Sequence, residues 1–420
     1  MRTPPQNTCT HKVLTYNVSP HAPQSKYTHL IKQTCLTATR PKSSKVPSSR
    51  TRSDVQNFPA PLVLPGDDLA IDPDPPQDYQ KWLGVRSQVT SRRRTVYLAS
   101  PGVEGGMEMG DWGIPQRIDA GWERVGAFYH GLPVKELRFP SLGFTPYKDD
   151  KTKVGLNTQH KCIQIRIRPS PNGIFSHQLN LEDLLAAAMA MLPTDAYALC
   201  LLVDHDLFES EDDEFVCGRA YGGRRVAVVS TARYNPILDG YHGVETDHAW
   251  PASHCQAFKE EKCREHGHGS ITKKRRMSSP SPSPQDAEQP NSNAPLSAAL
   301  SAFTNTNSNS SRPNNTTLWT SRLTRTTTHE LSHCFGLGHC TYYACLMQGS
   351  ASLFEDLRQP PYLCPVDLAK VLSSTKTSVE GRYRALLGFC EREGIREEAH
   401  FAAFGAWLRT SLEICGGGEV

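Results

Sequence analysis

Hydrophobic and polar positions follow recognisable periods between residues 95 and 168. Residues 95–98 (TVYL) favour a strand, and residues 122–129 have the apolar spacing of a helix that ends before Gly131. Residues 162–168 (CIQIRIR) alternate apolar and polar side chains, which predicts a half-buried strand that ends at Pro169. This part of the chain is therefore predicted to alternate strands with a helix.

The next elements are predicted by a capping residue and by two apolar runs. Asn180 stands where a helix N-cap is expected, the helix continues to Leu192, and Pro193 ends it. Residues 196–203 are almost entirely apolar and residues 225–231 are rich in valine, so both are predicted to be strands. Strands that alternate with helices predict the α/β fold class.

Two regions lack either period. Residues 1–53 contain nine Lys or Arg and no acidic residue, interleaved with Pro, Ser and Thr, so a disordered basic tail is predicted for residues 1–80. Such a start also resembles an organelle transit peptide, although no Arg-rich amphipathic helix accompanies it. Residues 255–316 are rich in Ser, Pro and Asn, which predicts a disordered insertion into one domain that spans residues 81–420.

Composition and charge exclude some classes of protein. The 420 residues carry a net charge of +3, which gives no general argument for a nucleic-acid or acidic-membrane partner. The apolar run at residues 184–192 is much shorter than the roughly 18 to 20 residues that a membrane span needs. The start of the chain lacks the apolar core of a secretory signal, which predicts a cytoplasmic or nuclear, reducing compartment. The 13 cysteines are then expected to be thiols or metal ligands.

The insertion contains basic and metal-ligating residue types without a defining spacing. Its basic cluster has the composition of a nuclear-import signal, of an anion-binding patch or of a solvated loop, and it consists of Lys273, Lys274, Arg275 and Arg276. Its potential metal ligands fit no standard zinc finger, and they are Cys255, Cys263, His266 and His268. Outside the insertion, the run Asp204, His205 and Asp206 is interpreted as a solvated loop, because no glycine-containing calcium loop surrounds it.

One motif carries most of the chemical information. Residues 329–339 have the sequence HELSHCFGLGH, which matches HExxHxxGxxH at every fixed position. On a helix, His329 and His333 lie one turn apart on the same face, so both imidazoles can reach one metal ion. Glu330 points about 100° away from them, which suits a general base that takes a proton from water better than a third ligand.

The third histidine of the motif requires the helix to end first. His339 lies six residues beyond His333, and a continued helix would rotate it away from the pair by about 120°. Gly336 accepts the left-handed conformation that ends a helix, so the chain can return His339 towards the metal. Three neutral histidines leave one tetrahedral position open, which is typical of a catalytic zinc site.

The residues after the motif suggest a second zinc site and a family. Cys340, Cys345 and Cys364 have the spacing of a structural zinc site, and Met347 and Asp367 lie among them. Taken with residues 329–339, this arrangement resembles the archaemetzincins, which are zinc peptidases of the metzincin group. The similarity covers roughly residues 95–255 and 316–385 and is specific only between His329 and Asp367.

The resemblance implies a zincin-like domain, with a mixed β-sheet, an active-site helix, and Met347 as the Met-turn beneath the catalytic zinc. Four cysteines of the family pattern correspond here to Cys340, Cys345, Cys364 and Asp367. Zinc accepts carboxylate oxygen, so a Cys3Asp site is one interpretation. A zinc completed by water or by another residue such as Cys390 is the second interpretation, and the absence of a second zinc is the third.

Cys334, on the motif helix, lies outside the ligand set and is expected to be a small buried residue or a redox-sensitive thiol.

The sequence therefore predicts a zinc metallopeptidase that acts on peptides, with His329, His333 and His339 as zinc ligands and Glu330 as the general base. The family resemblance implies an aminopeptidase-like preference. The alternative is a zinc-stabilised interaction protein without activity, and nucleic-acid binding through the basic segments would show as an affinity that falls steeply with salt. No pattern in the sequence indicates an oligomeric state.

Overall fold

The computed structural model of the chain describes residues 9, 11, 13–30, 32–39, 58–101, 119–147, 150–265, 294–309 and 315–416. The basic cluster at 273–276 lies outside the described residues, as do His266 and His268. Within the described part, no helix combines the length and the apolar character needed to cross a membrane.

The described strands form two mixed five-stranded sheets. The strands are β1 (Thr95–Ala99), β2 (Val134–Glu136), β3 (Gly143–Pro146), β4 (Lys153–Asn157), β5 (Cys162–Pro169), β6 (His177–Asn180), β7 (Ala196–Val203), β8 (Asp206–Phe208), β9 (Gly218–Tyr221) and β10 (Val226–Ser230). The main sheet has the order β2-β1-β7-β10-β9, parallel except for the antiparallel pair of β10 and β9. The second sheet has the order β3-β4-β5-β6-β8, antiparallel except for the parallel pair of β6 and β8.

The structure describes thirteen α-helices. They are α1 (Lys32–Thr37), α2 (Asp68–Ile71), α3 (Tyr79–Val85), α4 (Asp119–Phe128), α5 (Leu181–Met191), α6 (Asp239–His242), α7 (Gln256–Glu265), α8 (Pro295–Asn309), α9 (Asn315–Cys334), α10 (Leu353–Arg358), α11 (Pro365–Thr375), α12 (Val379–Cys390) and α13 (Ala399–Gly416). Alternate residues of β7 face opposite sides of the sheet. Leu199 and Leu201 pack with α5 and the second sheet, while Ala198 and Cys200 pack with the core that contains α4 and α9.

The α/β class and the mixed sheet predicted from the sequence are confirmed, although there are two sheets. Every residue of β7 is buried, as the apolar run predicts. The Asn180 side chain accepts a hydrogen bond from the backbone N–H of Asp183, so the predicted cap of α5 is also present. The half-buried strand predicted at residues 162–168 is β5.

The predicted tail boundary at residue 80 differs from the structure. Residues 58–80 are described and packed, with Val63 and Leu69 fully buried. The segment is held by scattered apolar contacts and by a buried ion pair between Asp67 and Arg358, which are 2.5 Å apart. Contacts of this kind need no regular spacing of apolar residues, so the sequence shows no helical or strand period here. Order therefore begins well before the predicted start of the domain.

The predicted insertion also contains helical structure at both ends. Helices α7 and α8 lie within residues 255–316, and α8 packs along α13. Leu296, Ala299 and Phe303 form the buried face of α8, and the surrounding Ser, Thr and Asn residues obscure that spacing in the sequence.

Helix α9 lies against the strands at the β9 edge of the main sheet. Its threonines are poor helix formers, but several donate a hydroxyl hydrogen bond to the carbonyl four residues earlier, such as Thr328 to Thr324 at 2.8 Å. Tyr129, the residue directly after α4, donates a hydrogen bond from its hydroxyl to the Thr328 carbonyl at 2.9 Å. Close packing from both sides therefore stabilises a helix of weak intrinsic propensity.

We expect Gly222→Ala to destabilise the protein, because a methyl group there would overlap the backbone carbonyl of His333 on α9. Relief of that overlap requires the turn Gly222–Arg224 and α9 to separate, which should lower the free energy of unfolding by about 1–3 kcal/mol. Gly223→Ala is the matched control, since nothing lies within 4 Å of the added methyl group. Equal unfolding midpoints of the two variants in urea would contradict this prediction.

Candidate metal centres and active-site cleft

The three motif histidines converge at the end of α9. One ring nitrogen from each of His329, His333 and His339 lies within 4.8 Å of the other two. The Nε2 atoms of His329 and His333 are 3.1 Å apart, as one helical turn allows. The structure thus brings together the three residues that the sequence predicts to be zinc ligands.

A turn after α9 returns His339 to the other two histidines. The helix ends at Cys334, and Gly336 has a φ of +82°, the left-handed conformation that its sequence position predicts. A side chain at this position would also press on the backbone of Arg86, since an added methyl group would lie 3.0 Å from the Arg86 Cα. Both the backbone conformation and the close contact therefore require glycine.

Each histidine is oriented by a hydrogen bond at Nδ1. His329 pairs with the Leu346 carbonyl and His333 with the Leu337 carbonyl, both at 2.7 Å. His339 pairs with the Asp74 carboxylate, also at 2.7 Å. Donation of the Nδ1 proton leaves Nε2 with its lone pair, so the three rings can present Nε2 to one metal ion.

The electrostatics of the histidines also suit a metal. Burial lowers the pKa of His329 well below its ordinary value and lowers the pKa of His333 to about 4. Both rings are therefore neutral at physiological pH, which is the form that binds metal. Three neutral imidazole donors with one position left open fit a catalytic zinc ion.

Glu330 lies beside the histidines and lines the same cleft. Burial raises its pKa to about 8, with a further increase from Asp356 that Arg219 partly offsets. A divalent cation at the three histidines would favour the carboxylate form and lower this pKa.

A cleft of about 850 Å³ opens over the histidines and Glu330. Residues 214–220, which include most of β9, also line this cleft. Strand β9 is the last strand of the main sheet and pairs with β10 on one side only among the described strands. The cleft therefore runs along a sheet edge, where an extended chain can add its own backbone hydrogen bonds.

The structure also brings together the second predicted set of ligands. The ligand atoms of Cys340, Cys345, Cys364 and Asp367 all lie within 4.8 Å of one another, and all four residues are buried. Asp367 Oδ2 is 3.3 Å from the Cys345 Sγ, and the Cys340 and Cys364 sulfurs are 3.5 Å apart. Cys390 is absent from this group and lies instead beside Arg124.

The four members of this second group differ in how readily they ionise. Burial opposes ionisation of Cys340, but hydrogen bonds from Cys345 and Cys364 outweigh it and hold the pKa of the Cys340 thiol well below its ordinary value. Burial raises the pKa of the Cys345 and Cys364 thiols well above the ordinary value and that of Asp367 to about 7, so a bound cation would be needed to ionise all four. Lys370 donates to Asp367 Oδ1 at 2.8 Å, which leaves Oδ2 directed at the cysteines. Lys370 is not predicted as part of the site from the sequence, although Asp367 and Lys370 have the i,i+3 spacing of a helical ion pair.

Two other predicted features have clear positions. Met347 is fully buried, and its carbonyl accepts a hydrogen bond from the Cys340 N–H at 2.6 Å, between the two candidate metal centres. Cys334 is 1% exposed, and burial raises its pKa well above the ordinary value. This supports a packing role for Cys334 over a reactive thiol.

The weaker groupings are not assembled as sites. Asp206 pairs with buried Arg233, while His205 pairs with Asp204, so this run does not converge on one point. In the described part of the insertion, Cys263 is not grouped with Cys255 as a potential ligand, whereas the ligand atoms of Cys9, His11 and Cys255 lie within 4.8 Å of one another.

Asp74 is a further residue of the candidate site that the sequence does not predict. It lies 265 positions before His339, inside the predicted tail, and no local pattern marks it as a partner of the motif. Its role becomes visible only once the third histidine is placed in three dimensions.

Comparisons with known proteins agree with the motif. The family model described as Peptidase family M54 matches residues 302–371, which include both candidate metal centres. Human Archaemetzincin-2 is 26% identical over 339 residues, covering 80% of this chain and 75% of that protein. Mouse Archaemetzincin-1 is 38% identical over 95 residues, covering 23% of this chain and 15% of that protein.

Two solved archaeal structures are similar at a lower level. The archaemetzincin of Methanopyrus kandleri is 18% identical, covering 68% of this chain and 98% of that chain, with a TM-score of 0.33. A zinc-dependent peptidase of Methanocorpusculum labreanum is 17% identical, covering 66% of this chain and 99% of that chain, with a TM-score of 0.32. The agreement in family therefore rests on the sequence matches.

Proposed function

We propose that this chain is a zinc metallopeptidase of the archaemetzincin type, and that it hydrolyses peptide bonds in the cleft beside β9 with Glu330 as the general base. One observation carries the proposal. Three histidines present Nε2 to a common point, each oriented through Nδ1, and a partly buried carboxylate lies beside them on the same helix. A purely structural three-histidine site has no need of such a base.

In the proposed reaction, zinc and the residues of the protein have separate roles. Zinc held by the three histidines would polarise the scissile carbonyl and acidify the attacking water. Glu330 accepts the proton of that water and then passes it to the leaving amine, for which a pKa near neutrality is suited. The backbone of β9 aligns the substrate as an added strand, which places its carbonyl over the histidines.

We further propose an aminopeptidase-like preference, as the family resemblance implies. Asp68 lines the cleft and lies in a group with Asp74 and His339. A carboxylate at this end of the cleft would attract a free amino terminus. Met347, between the two centres, is proposed as the Met-turn that supports the catalytic site from below.

We also propose that Cys340, Cys345, Cys364 and Asp367 hold a structural zinc. Four buried donors without an open position suit a closed tetrahedral site, and three of them are soft sulfur ligands. Such a site would tie the segment after the catalytic motif to the start of α11.

The proposed function is tested with a peptide library whose members have either free or acetylated N-termini. We expect the zinc-loaded protein to cleave free peptides and the chelator-treated protein to cleave none, with products identified by mass spectrometry. Acetylation should suppress cleavage, because it removes the charge that Asp68 would attract. Undiminished cleavage of acetylated peptides would contradict the aminopeptidase-like preference.

A fully zinc-loaded protein that cleaves no peptide would overturn the peptidase proposal itself. It would leave the alternative from the sequence, an interaction protein stabilised by zinc. Full metal content must therefore be verified in the same sample before the library is added.

A further inference from the structure

The third histidine differs from the other two in the source of its orienting partner. His329 and His333 pair with carbonyls of residues 346 and 337, which belong to the motif and the loop after it. His339 depends on Asp74, a side chain from a distant part of the sequence. A carboxylate is also a stronger acceptor than a carbonyl, so it makes the ring a better metal ligand.

Asp74 belongs to residues 64–86, which we call the strap. The part of the strap that is N-terminal to Asp74 is firmly anchored. The Asp67 carboxylate forms two hydrogen bonds with Arg358, at 2.5 and 3.2 Å, and also accepts the backbone N–H of Leu64 at 2.9 Å. The backbone N–H of Asp68 donates to the Glu355 carboxylate at 3.0 Å. The strap is thus fixed to α10 just before it reaches His339.

The part of the strap after Asp74 holds the turn between the second and third histidines. The Gln77 side chain donates to the Gly336 carbonyl and accepts the Gly338 N–H, both at 3.0 Å. Trp82 Nε1 donates to the Phe335 carbonyl at 2.8 Å. Three backbone groups of the turn are therefore satisfied by the strap.

A lysine fixes the orientation of the Gln77 amide and links the two candidate metal centres. Lys370 Nζ donates to the Gln77 backbone carbonyl at 2.7 Å and to Gln77 Oε1 at 3.0 Å. The same ammonium donates to Asp367 of the cysteine group at 2.8 Å. Because Oε1 must face Lys370 and Gly338, Nε2 is directed at Gly336.

We propose that the strap is an integral part of the metal centre, with Asp74 and Gln77 as positioning residues. Asp74 orients His339, and Gln77 holds the turn that returns His339 to the metal. The inference rests on the proposed function, because it assumes that the three histidines bind a metal. In this proposal neither residue is a zinc ligand, and each acts through His339 or the turn before it.

The test compares the full-length Asp74→Asn protein with wild type and with Asp72→Asn, an exposed change of the same kind two residues earlier. Affinity is measured by Co²⁺ titration and by Zn²⁺ competition with a chelator. Thiolate-to-cobalt charge-transfer absorption reports the cysteine group separately, since the three-histidine centre has no sulfur ligand. We expect Asp74→Asn to weaken the sulfur-free site by about 10- to 100-fold, Asp74→Glu to recover part of that loss, and Asp72→Asn to match wild type.

Gln77→Ala removes both hydrogen bonds to the turn and is expected to weaken the same site by about fivefold or more. The thermal midpoint of metal-free Asp74→Asn should equal that of metal-free wild type, because the Asp74 side chain is 44% exposed. That equality separates a positioning role from a structural one.

Unchanged affinity in Asp74→Asn, or an equal loss in Asp72→Asn, would overturn the inference while leaving the proposed function intact. Absence of a sulfur-free cobalt site in the wild-type protein would instead overturn the proposed function. The cobalt spectrum therefore distinguishes the two failures, because the sulfur-free site is present in wild type in the first case and absent in the second.

Discussion

Replacement of Glu330 by glutamine is expected to lower kcat/KM for peptide cleavage by about 10²- to 10⁴-fold, the usual contribution of a general base. Glutamine keeps the shape of the side chain but cannot accept the proton of the attacking water. The motif histidines and their Nδ1 partners are untouched, so zinc affinity should stay close to that of wild type. The measurement is cleavage of the best library peptide by zinc-loaded proteins, with metal content determined on the same samples.

Glu214→Gln is the matched control for this experiment. Glu214 also lines the cleft, but it accepts a hydrogen bond from Asn172 and lies outside the residues proposed to react. We expect it to retain nearly wild-type kcat/KM. If Glu330→Gln cleaved peptides as fast as this control, Glu330 would not be the base, and the proton would have to be accepted elsewhere in the cleft.

The sequence predicts well those features that depend on neighbours along the chain. The burial of β7 follows from an uninterrupted apolar run, and the N-cap at Asn180 follows from one side chain and one N–H three residues away. The convergence of His329 and His333 follows from helical spacing alone. Gly336 predicts the end of α9, because few residues other than glycine adopt its backbone conformation.

The features that the sequence does not predict depend on contacts between distant segments. Asp74 and Gln77 act on residues more than 250 positions away, and no period marks the strap that carries them. The strap is anchored mainly by the ion pair between Asp67 and Arg358. Because both side chains are charged, this pair cannot be recognised from the pattern of hydrophobic positions. The composition of α8 predicts disorder, because most of its residues are polar. The helix is nevertheless ordered, since its few apolar residues share one face and are buried against α13.

Lys370 explains in part how an aspartate can stand at position 367, where the resemblance to the archaemetzincins implies a cysteine. A thiolate needs no further partner in a closed zinc site, whereas a carboxylate has a second oxygen that must be satisfied when buried. Lys370 supplies that partner at Oδ1. The aspartate and the lysine should therefore be considered as one unit of the candidate site.

The second large effect is expected for Asp367→Asn, which should lower the free energy of unfolding by about 3–5 kcal/mol. The side chains of Asp367 and Lys370 are 1% and 2% exposed, so the mutation leaves a buried ammonium without its carboxylate. Asparagine is also a poor ligand for zinc, and loss of a structural zinc would add to the cost. Denaturant unfolding of zinc-loaded and metal-free protein, with zinc content measured in parallel, tests both contributions.

The comparison of metal-free with zinc-loaded protein separates the ion pair from the metal. Asp206→Asn breaks another fully buried pair, in which Asp206 on β8 of the second sheet meets Arg233, so its cost should be the same with and without zinc. The cost of Asp367→Asn should be larger in the zinc-loaded protein, and its zinc content should fall from two ions to one. If two ions remained with unchanged affinity, the zinc would be completed by water and not by Asp367. If wild type and Cys345→Ser both held a single ion, the cysteine group would bind no zinc, and Asp367 would stabilise the fold through Lys370 alone.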